Sequence, residues 1–191
     1  MYLDDALLYN QGYMISINDL DSPLFYLFDY DSRSFKINMS FQHFHQFHEI
    51  HILLSGRASH IIEGDYYTLQ PYDIVLLRPS MMHKTEYPSG GDCRRLIINF
   101  RVPDDSPVLH EMLQSCLQPF GAEVPIYRFT GETRAQAFSH LNAIFTLGKQ
   151  PMTPLTQQFI HCHFLQFLAT VAQHAGESSY EPQELSDSIT Q

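Results

Sequence analysis

The stretch that decides the fold is HFHQFHEIHILLSG, which runs from His43 to Gly56. His43, His45 and Glu49 are separated by even numbers of residues, so on a continuous β-strand their side chains share one face. Leu53 continues the same spacing. Two imidazoles and a carboxylate on one strand face are unusual as core residues. The stretch therefore predicts the wall of a pocket that binds either a metal ion or a polar small molecule.

Four further histidines, two within this stretch and two beyond it, are interpreted from their positions. His83 follows a turn and is predicted to converge on the same point from a second strand. His51 has the parity of Glu49 and is expected to point into the same cavity, whereas His48 has the opposite parity. We therefore expect His48 to face outward or under a helix. His60 is interpreted as an ordinary satisfied or solvated residue and is not placed in the site.

Charge and cysteine content exclude several classes of protein. The formal net charge of −10 weighs against this segment binding a phosphate backbone itself, because that affinity comes from Lys and Arg. Three widely separated cysteines without CxxC spacing indicate free thiols in a reducing compartment. The N-terminus lacks the features of a signal peptide, and no apolar run approaches membrane-spanning length. We expect a cytoplasmic protein with no membrane partner.

The first half of the chain is patterned as a series of short strands separated by turn residues. Many short antiparallel strands with tight connections predict a sandwich or barrel. The predicted strands are Leu24–Tyr30, Phe35–Ser40, Phe47–Leu54, Ala58–Glu63, Tyr66–Leu69, Ile74–Arg78, Lys84–Tyr87 and Arg95–Arg101.

The pattern changes to helical after Pro103. Helices are predicted over Pro107–Leu117 and Gly131–Leu147, and a third is capped by Thr153 or Thr156 and runs to about His174. The third helix carries two apolar stripes. One stripe can dock on the β part, and the second needs a partner either within the chain or across a dimer. The first consists of Ile160, Phe164, Phe167, Leu168 and Val171, and the second of Leu155, Phe159, Cys162, Leu165 and Ala169.

These patterns divide the chain into four parts. We expect an N-terminal arm at residues 1–23, a β domain at 24–102, a helical subdomain at 103–176 and a polar linker at 177–191. A linker at the end of the sequence indicates that a further domain follows in the complete protein.

The order of motifs in this chain resembles the two cupin motifs. The matching residues are His43-x-His45-x3-Glu49-x6-Gly56, followed by Gly64, Pro71, Asp73, Pro79 and His83. Roughly residues 24–175 resemble the N-terminal effector-binding (cupin) domain of AraC/XylS-type transcription regulators. The chain departs from metal-binding cupins at Tyr72-Asp73, where a glycine is usual, and it lacks the Asn that often follows the last histidine. These departures place metal binding in doubt.

The resemblance implies a mainly β fold with a C-terminal α part, namely a cupin-type antiparallel β-barrel (jelly-roll) followed by a helical dimerisation subdomain. It implies a small-molecule effector inside the barrel and a homodimer formed through the C-terminal helices. DNA would be bound only through a C-terminal helix-turn-helix domain that is not present in this chain. On this interpretation the chain is a cytoplasmic transcription-regulation domain and not an enzyme.

Two interpretations of the site stay open. As an effector site, it would be formed by His43, His45, Phe47, Glu49, His51, His83 and Tyr30. As a metal site, it would use His43, His45, Glu49 and His83 to hold Zn, Fe, Mn or Ni, as in a metal-dependent cupin enzyme of the dioxygenase or isomerase type. No cofactor is required by the first interpretation, and no catalytic residue is assigned. The sequence has no nucleophile elbow or phosphate-binding glycine loop.

Overall fold

The computed structural model describes residues 13–33, 38–103 and 107–182. The described chain is mostly antiparallel β-structure followed by three helices, as the sequence predicts. The strands are β1 (Tyr13–Ile17), β2 (Phe25–Arg33), β3 (His48–Ser55), β4 (Ala58–Ile62), β5 (Asp65–Leu69), β6 (Ile74–Leu77), β7 (His83–Glu86), β8 (Cys93–Arg101) and β9 (Ile126–Tyr127).

The strands form two open sheets, so the prediction of a closed barrel is wrong. One sheet has the order β1-β2-β8-β3-β6-β9 and the other the order β5-β4-β7. Apolar residues of both sheets pack into one cluster, which places the sheets face to face. Among the described residues, an isolated backbone bridge from His43 to His83 joins β7 to the segment that precedes β3. One bridge does not continue a ladder, so the barrel does not close.

Two strands were missed by the sequence analysis. β1 lies in the predicted arm and pairs with β2 along its whole length, and its Ile15 and Ile17 are buried. β9 has only two residues and pairs with β6, too short a segment to show periodicity. The predicted strand Phe35–Ser40 falls partly outside the described residues, and 38–40 are not in a strand.

β3 contributes one face to the space between the two sheets and the other face to the helical core. Neighbouring side chains on a strand point to opposite faces. Ile50 and Ile52 face the helices and belong to the larger apolar core. Glu49, His51 and Leu53 face the space between the sheets, and all five residues are at most 9% exposed. The inward face of β3 therefore contributes polar groups at one end and apolar packing at the other.

The helices are α1 (Pro107–Leu117), α2 (Gly131–Gly148) and α3 (Pro154–Gln173), close to the predicted ranges. Thr153 caps α3, because its side-chain oxygen accepts a hydrogen bond of 3.1 Å from the backbone N–H of Thr156. The first predicted stripe of α3 is buried against the sheet, and the second stripe is left largely uncovered, with Leu155 63% and Phe159 48% exposed.

None of the described helices is long and apolar enough to cross a bilayer.

A partly buried ion pair between Arg128 and Asp73 contacts the segment that follows α3. Both carboxylate oxygens of Asp73 accept hydrogen bonds of 2.7 Å from the guanidinium of Arg128. Tyr180 lies against that guanidinium and donates a hydrogen bond of 3.1 Å to the carbonyl of Thr68 in β5. The first residues of the predicted linker therefore pack on the β part. Asp73, which departs from the metal-binding pattern together with Tyr72, has this structural role.

Candidate functional site

A group of five histidines and one glutamate fills the polar end of the space between the sheets. We call it the histidine cluster. β3, β4, β7 and the segment that precedes β3 bring it together from distant parts of the sequence. Its members are His43, His45, Glu49, His51, His60 and His83.

His43 and His45 reach the cluster without belonging to β3. The backbones of His43 and His83 exchange two hydrogen bonds of 2.9 Å, and their rings lie 4.4 Å apart. The chain then bends at Gln46 and Phe47 before β3 begins. A continuous strand from His43 to Leu53 is therefore wrong, although the predicted convergence of the imidazoles is found.

His45 is held between a backbone carbonyl and the carboxylate of Glu49. Its Nδ1 lies 3.0 Å from the carbonyl oxygen of Phe47, and its Nε2 lies 3.1 Å from Oε2 of Glu49. A carbonyl can only accept, so Nδ1 carries a proton. Burial works to raise the pKa of Glu49, but the hydrogen bond to His45 and the nearby His83 outweigh it and lower the pKa. An ionised Glu49 requires either a second proton on His45 or a cation beside it.

His83 is oriented in the same way but is not satisfied. Its Nδ1 donates to the carbonyl of Met81 at 2.8 Å, and its Nε2 lies 3.8 Å from Oε1 of Glu49, too far for a hydrogen bond. Burial lowers the pKa of His83, so the ring is neutral and Nε2 presents a lone pair. That nitrogen has no hydrogen-bond partner among the described residues. An unsatisfied buried group of this kind costs about 1–3 kcal/mol.

His51 and His60 form the deeper end of the cluster. Both are fully buried, and their rings lie 5.1 Å apart. Burial, reinforced by the positive charge of Arg95, lowers the pKa of His51 to about 3, and burial lowers the pKa of His60 well below its usual value. Both rings are neutral as a result. Three of their four ring nitrogens have no partner in the described part of the chain, so they offer hydrogen bonds to a ligand.

His60 is the residue that the sequence analysis missed. In β4 the side chains of Ala58, His60 and Ile62 are buried, whereas Ser59 and Ile61 between them are only partly so. The strand itself was predicted. His60 shares the parity of Ala58 and Ile62 in that strand, and this shared parity was the signal that could have placed it inside.

The predicted aromatic walls divide between the two faces of the large sheet. Phe47 stacks on His45 with ring centroids 4.2 Å apart and borders the histidine cluster. Tyr30 is on the opposite face, where it packs in the helical core against Phe145 at 6.5 Å. Its assignment to the site is wrong, because residue parity in β2 directs it toward α2. His48 also faces the helical side, as expected, and stacks on Phe100.

The chemistry of the cluster fits a divalent metal. One ligand atom from each of His43, His45 and His83 lies within 4.8 Å of the others. Metal-binding histidines usually donate their second N–H to a carbonyl or carboxylate, as His45 and His83 do here. The predicted fourth ligand, Glu49, lies 3.1 Å from Nε2 of His45 and 3.8 Å from Nε2 of His83 but falls outside this group of three. The three histidines would suit Zn, Fe, Mn or Ni, and the unsatisfied Nε2 of His83 is the observation that favours a metal there.

The family of the chain follows from a comparison with known domains. The AraC-like ligand binding domain family matches residues 36–145, which is more than half of the chain. The chain belongs to this family. The match includes the whole histidine cluster, and it confirms the family resemblance drawn from the sequence.

Solved structures with partial similarity include several cupins. A cupin from Bacteroides fragilis is 22% identical and covers 42% of this chain and 70% of its own, with a TM-score of 0.38. A cupin-2 domain protein from Shewanella frigidimarina is 20% identical, with coverages of 51% and 89% and a TM-score of 0.37. Salicylate 1,2-dioxygenase from Pseudoaminobacter salicylatoxidans is 12% identical, with coverages of 41% and 22% and a TM-score of 0.36. No curated protein matches the chain.

The unsatisfied nitrogens predict that the cluster does not serve stability. Replacing His60 by Leu removes one buried nitrogen without a partner together with one hydrogen bond of 3.3 Å to Thr85, so the free energy of unfolding should stay within about 1 kcal/mol of the wild type. The control is Ile62→Ala at the next inward position of β4, which should cost about 2–5 kcal/mol. Urea denaturation measures both. A loss in His60→Leu as large as that in Ile62→Ala would show that His60 is needed for the fold.

Proposed function

We propose that this chain is the ligand-sensing domain of an AraC-like transcription regulator, and not an enzyme. A small-molecule effector binds at the histidine cluster and controls DNA binding by a C-terminal helix-turn-helix domain outside this chain. The observation that carries the proposal is the family match over a region in which buried polar atoms are left without partners. A polar ligand would satisfy them.

The character of the cluster indicates the class of effector. His51 and His60 are neutral. Both ring nitrogens of His51 and Nε2 of His60 have no partner among the described residues, whereas Nδ1 of His60 lies 3.3 Å from the hydroxyl of Thr85. Oδ1 of Asn99 is a further buried acceptor without a partner among the described residues. Arg95 adds a positive charge near His51. These groups suit a small, strongly polar molecule with several hydroxyl or carboxyl groups and disfavour a purely apolar one.

β3 gives such a ligand a route to the helices. A ligand that contacts Glu49 and His51 on one face of β3 acts on a strand whose other face, at Ile50 and Ile52, packs in the helical core. If the effector binds one arrangement of these layers more tightly than another, the population shifts by that difference in affinity. The Arg128–Asp73 ion pair extends the same route to the segment after α3.

The effector proposal predicts a ligand response that depends on the cluster. In a thermal-shift screen of sugars, hydroxy acids and other small polar metabolites, an effector at about 100 times its Kd stabilises the protein by about 2.7 kcal/mol. The shift should occur in the wild type and in His110→Leu, an exposed control on α1, and be lost in His60→Leu. A hit must also change the affinity of the full-length protein for its operator DNA. Hits that stabilise His60→Leu equally would place the effector elsewhere.

A second function, that of a metal-dependent cupin enzyme, is favoured by the unsatisfied Nε2 of His83 beside Glu49. In that case, protein purified without chelator should contain near-stoichiometric Zn, Fe, Mn or Ni. Substituting His45→Ala should remove the metal, because it deletes one ligand, and His110→Ala should retain it. Elemental analysis measures the content. Metal-free wild-type protein, or equal metal in His45→Ala, would count against this function.

We propose that the chain forms a homodimer through its C-terminal helices. The uncovered stripe of α3 includes Leu155 and Phe159, and α1 exposes Val108 and Met112 at 68% and 63%. Apolar residues clustered on a surface favour association. Substituting Phe159→Glu places a charge in the stripe and should convert a dimer into a monomer in analytical ultracentrifugation at micromolar concentration. The control Gln173→Glu, exposed on the same helix, should leave the dimer intact. A wild-type monomer would refute the proposal.

A further inference from the structure

A second cavity lies on the helical side of the molecule, away from the histidine cluster. It has a volume of about 560 Å³, is partly open to solvent and is lined by α1, α3, the β1–β2 hairpin and the segment that follows β8. This volume is within the range of 300–1,000 Å³ typical of sites for drug-sized ligands. The large sheet separates the cavity from the site proposed above.

The lining of this cavity is mainly apolar and uncharged. Ile17 and Leu24 of the hairpin region and Leu113 of α1 form its apolar walls, together with Leu165 and Ala169 of α3. Three glutamines of α3 add polar groups, and no Asp, Glu, Lys or Arg is among the described residues that line it. Because an ion placed against the apolar walls would lose hydration without a counter-charge, the cavity disfavours charged ligands. The glutamines are Gln157, Gln158 and Gln166.

Tyr26 and His161, which line the cavity, are hydrogen-bonded to each other. The hydroxyl of Tyr26 lies 2.5 Å from Nδ1 of His161. Burial lowers the pKa of His161, so the ring is neutral. Since Nδ1 is taken by Tyr26, Nε2 is left to bond one polar group of a ligand.

We infer that this cavity is a binding site for a neutral, mainly apolar small molecule that hydrogen-bonds to His161. The size of the cavity, its uncharged lining and the single neutral imidazole each point to this class. The site differs in chemistry from the polar histidine cluster, so the two would take different ligands.

A ligand in this cavity would contact α1 and α3 together and fix their relative position. Leu165 and Ala169 of the uncovered α3 stripe also line the cavity, as does Met112 of α1, so the cavity opens onto the proposed dimer surface. Any effect on dimerisation rests on the proposed function. Binding of a ligand in the cavity does not rest on the proposed function. Because the experiment measures binding alone, failure of either proposal leaves the other standing.

The test uses N-phenyl-naphthylamine, an uncharged aromatic with one N–H, whose fluorescence rises in apolar surroundings. It should bind the wild type saturably at one site per chain. Ala169→Trp fills the cavity from α3 and should weaken binding at least about tenfold, which is about 1.4 kcal/mol. The control Ser139→Trp adds the same bulk at an exposed position of α2 and should bind as the wild type does. Anilinonaphthalene sulfonate, the same skeleton with a negative charge, should bind at least about tenfold more weakly than the neutral probe.

A second measurement guards against misfolding of Ala169→Trp. Cys116 lines the cavity, whereas Cys93 is buried elsewhere and Cys162 is exposed. In a Cys162→Ser background, the neutral probe should slow the reaction of Cys116 with N-ethylmaleimide. Unprotected Cys116, equal binding by Ala169→Trp, or tighter binding of the sulfonate would overturn the inference. So would probe binding that falls as protein concentration rises, because a second copy of the chain would then fill the cavity.

Discussion

The site depends on two backbone carbonyls, those of Phe47 and Met81, which orient the imidazoles of His45 and His83. Each carbonyl accepts from Nδ1 and thereby directs Nε2 toward Glu49. The carboxylate is ionised, one nearby nitrogen is a bare lone pair, and the surroundings are buried. Electrostatics inside a protein make such an arrangement costly unless a ligand or cation completes it. The geometry therefore fits the binding site that we propose better than a core that maximises stability.

The architecture places this polar group next to a strand that also contacts the helical layer. β3 presents Glu49 and His51 to the space between the sheets and Ile50 and Ile52 to the helices, so one strand joins the site to the helical layer. The open edges of the two sheets also distinguish this domain from a closed barrel. The bridge between His43 and His83 joins β7 to the segment that precedes β3 at the site itself.

Much of the fold was accessible to sequence reasoning because its signals are local. The turn residues separated the strands, and Thr153 fixed the start of α3. The convergence of His43, His45, Glu49 and His83 was also predicted, but for a partly wrong reason, because the chain bends before β3. Other features needed tertiary information. β1 has little pattern of its own and is stabilised by pairing with β2. The closure of a barrel depends on how strands pair across the two sheets, which the sequence does not specify. Tyr30 was misplaced because its parity relative to the site was not used. His60 was set aside as a lone histidine although its strand was recognised.

The central claim, that a backbone carbonyl directs a bare imidazole nitrogen of His83 at Glu49, is tested most directly by the protonation of that ring. Long-range proton–nitrogen NMR correlations on chelator-treated protein at neutral pH report it nitrogen by nitrogen. We expect His83 to carry its proton on Nδ1 and none on Nε2. A proton on Nε2 of His83 would contradict it, because the nitrogen would then be a donor to Glu49 and no ligand or cation would be needed to complete the site.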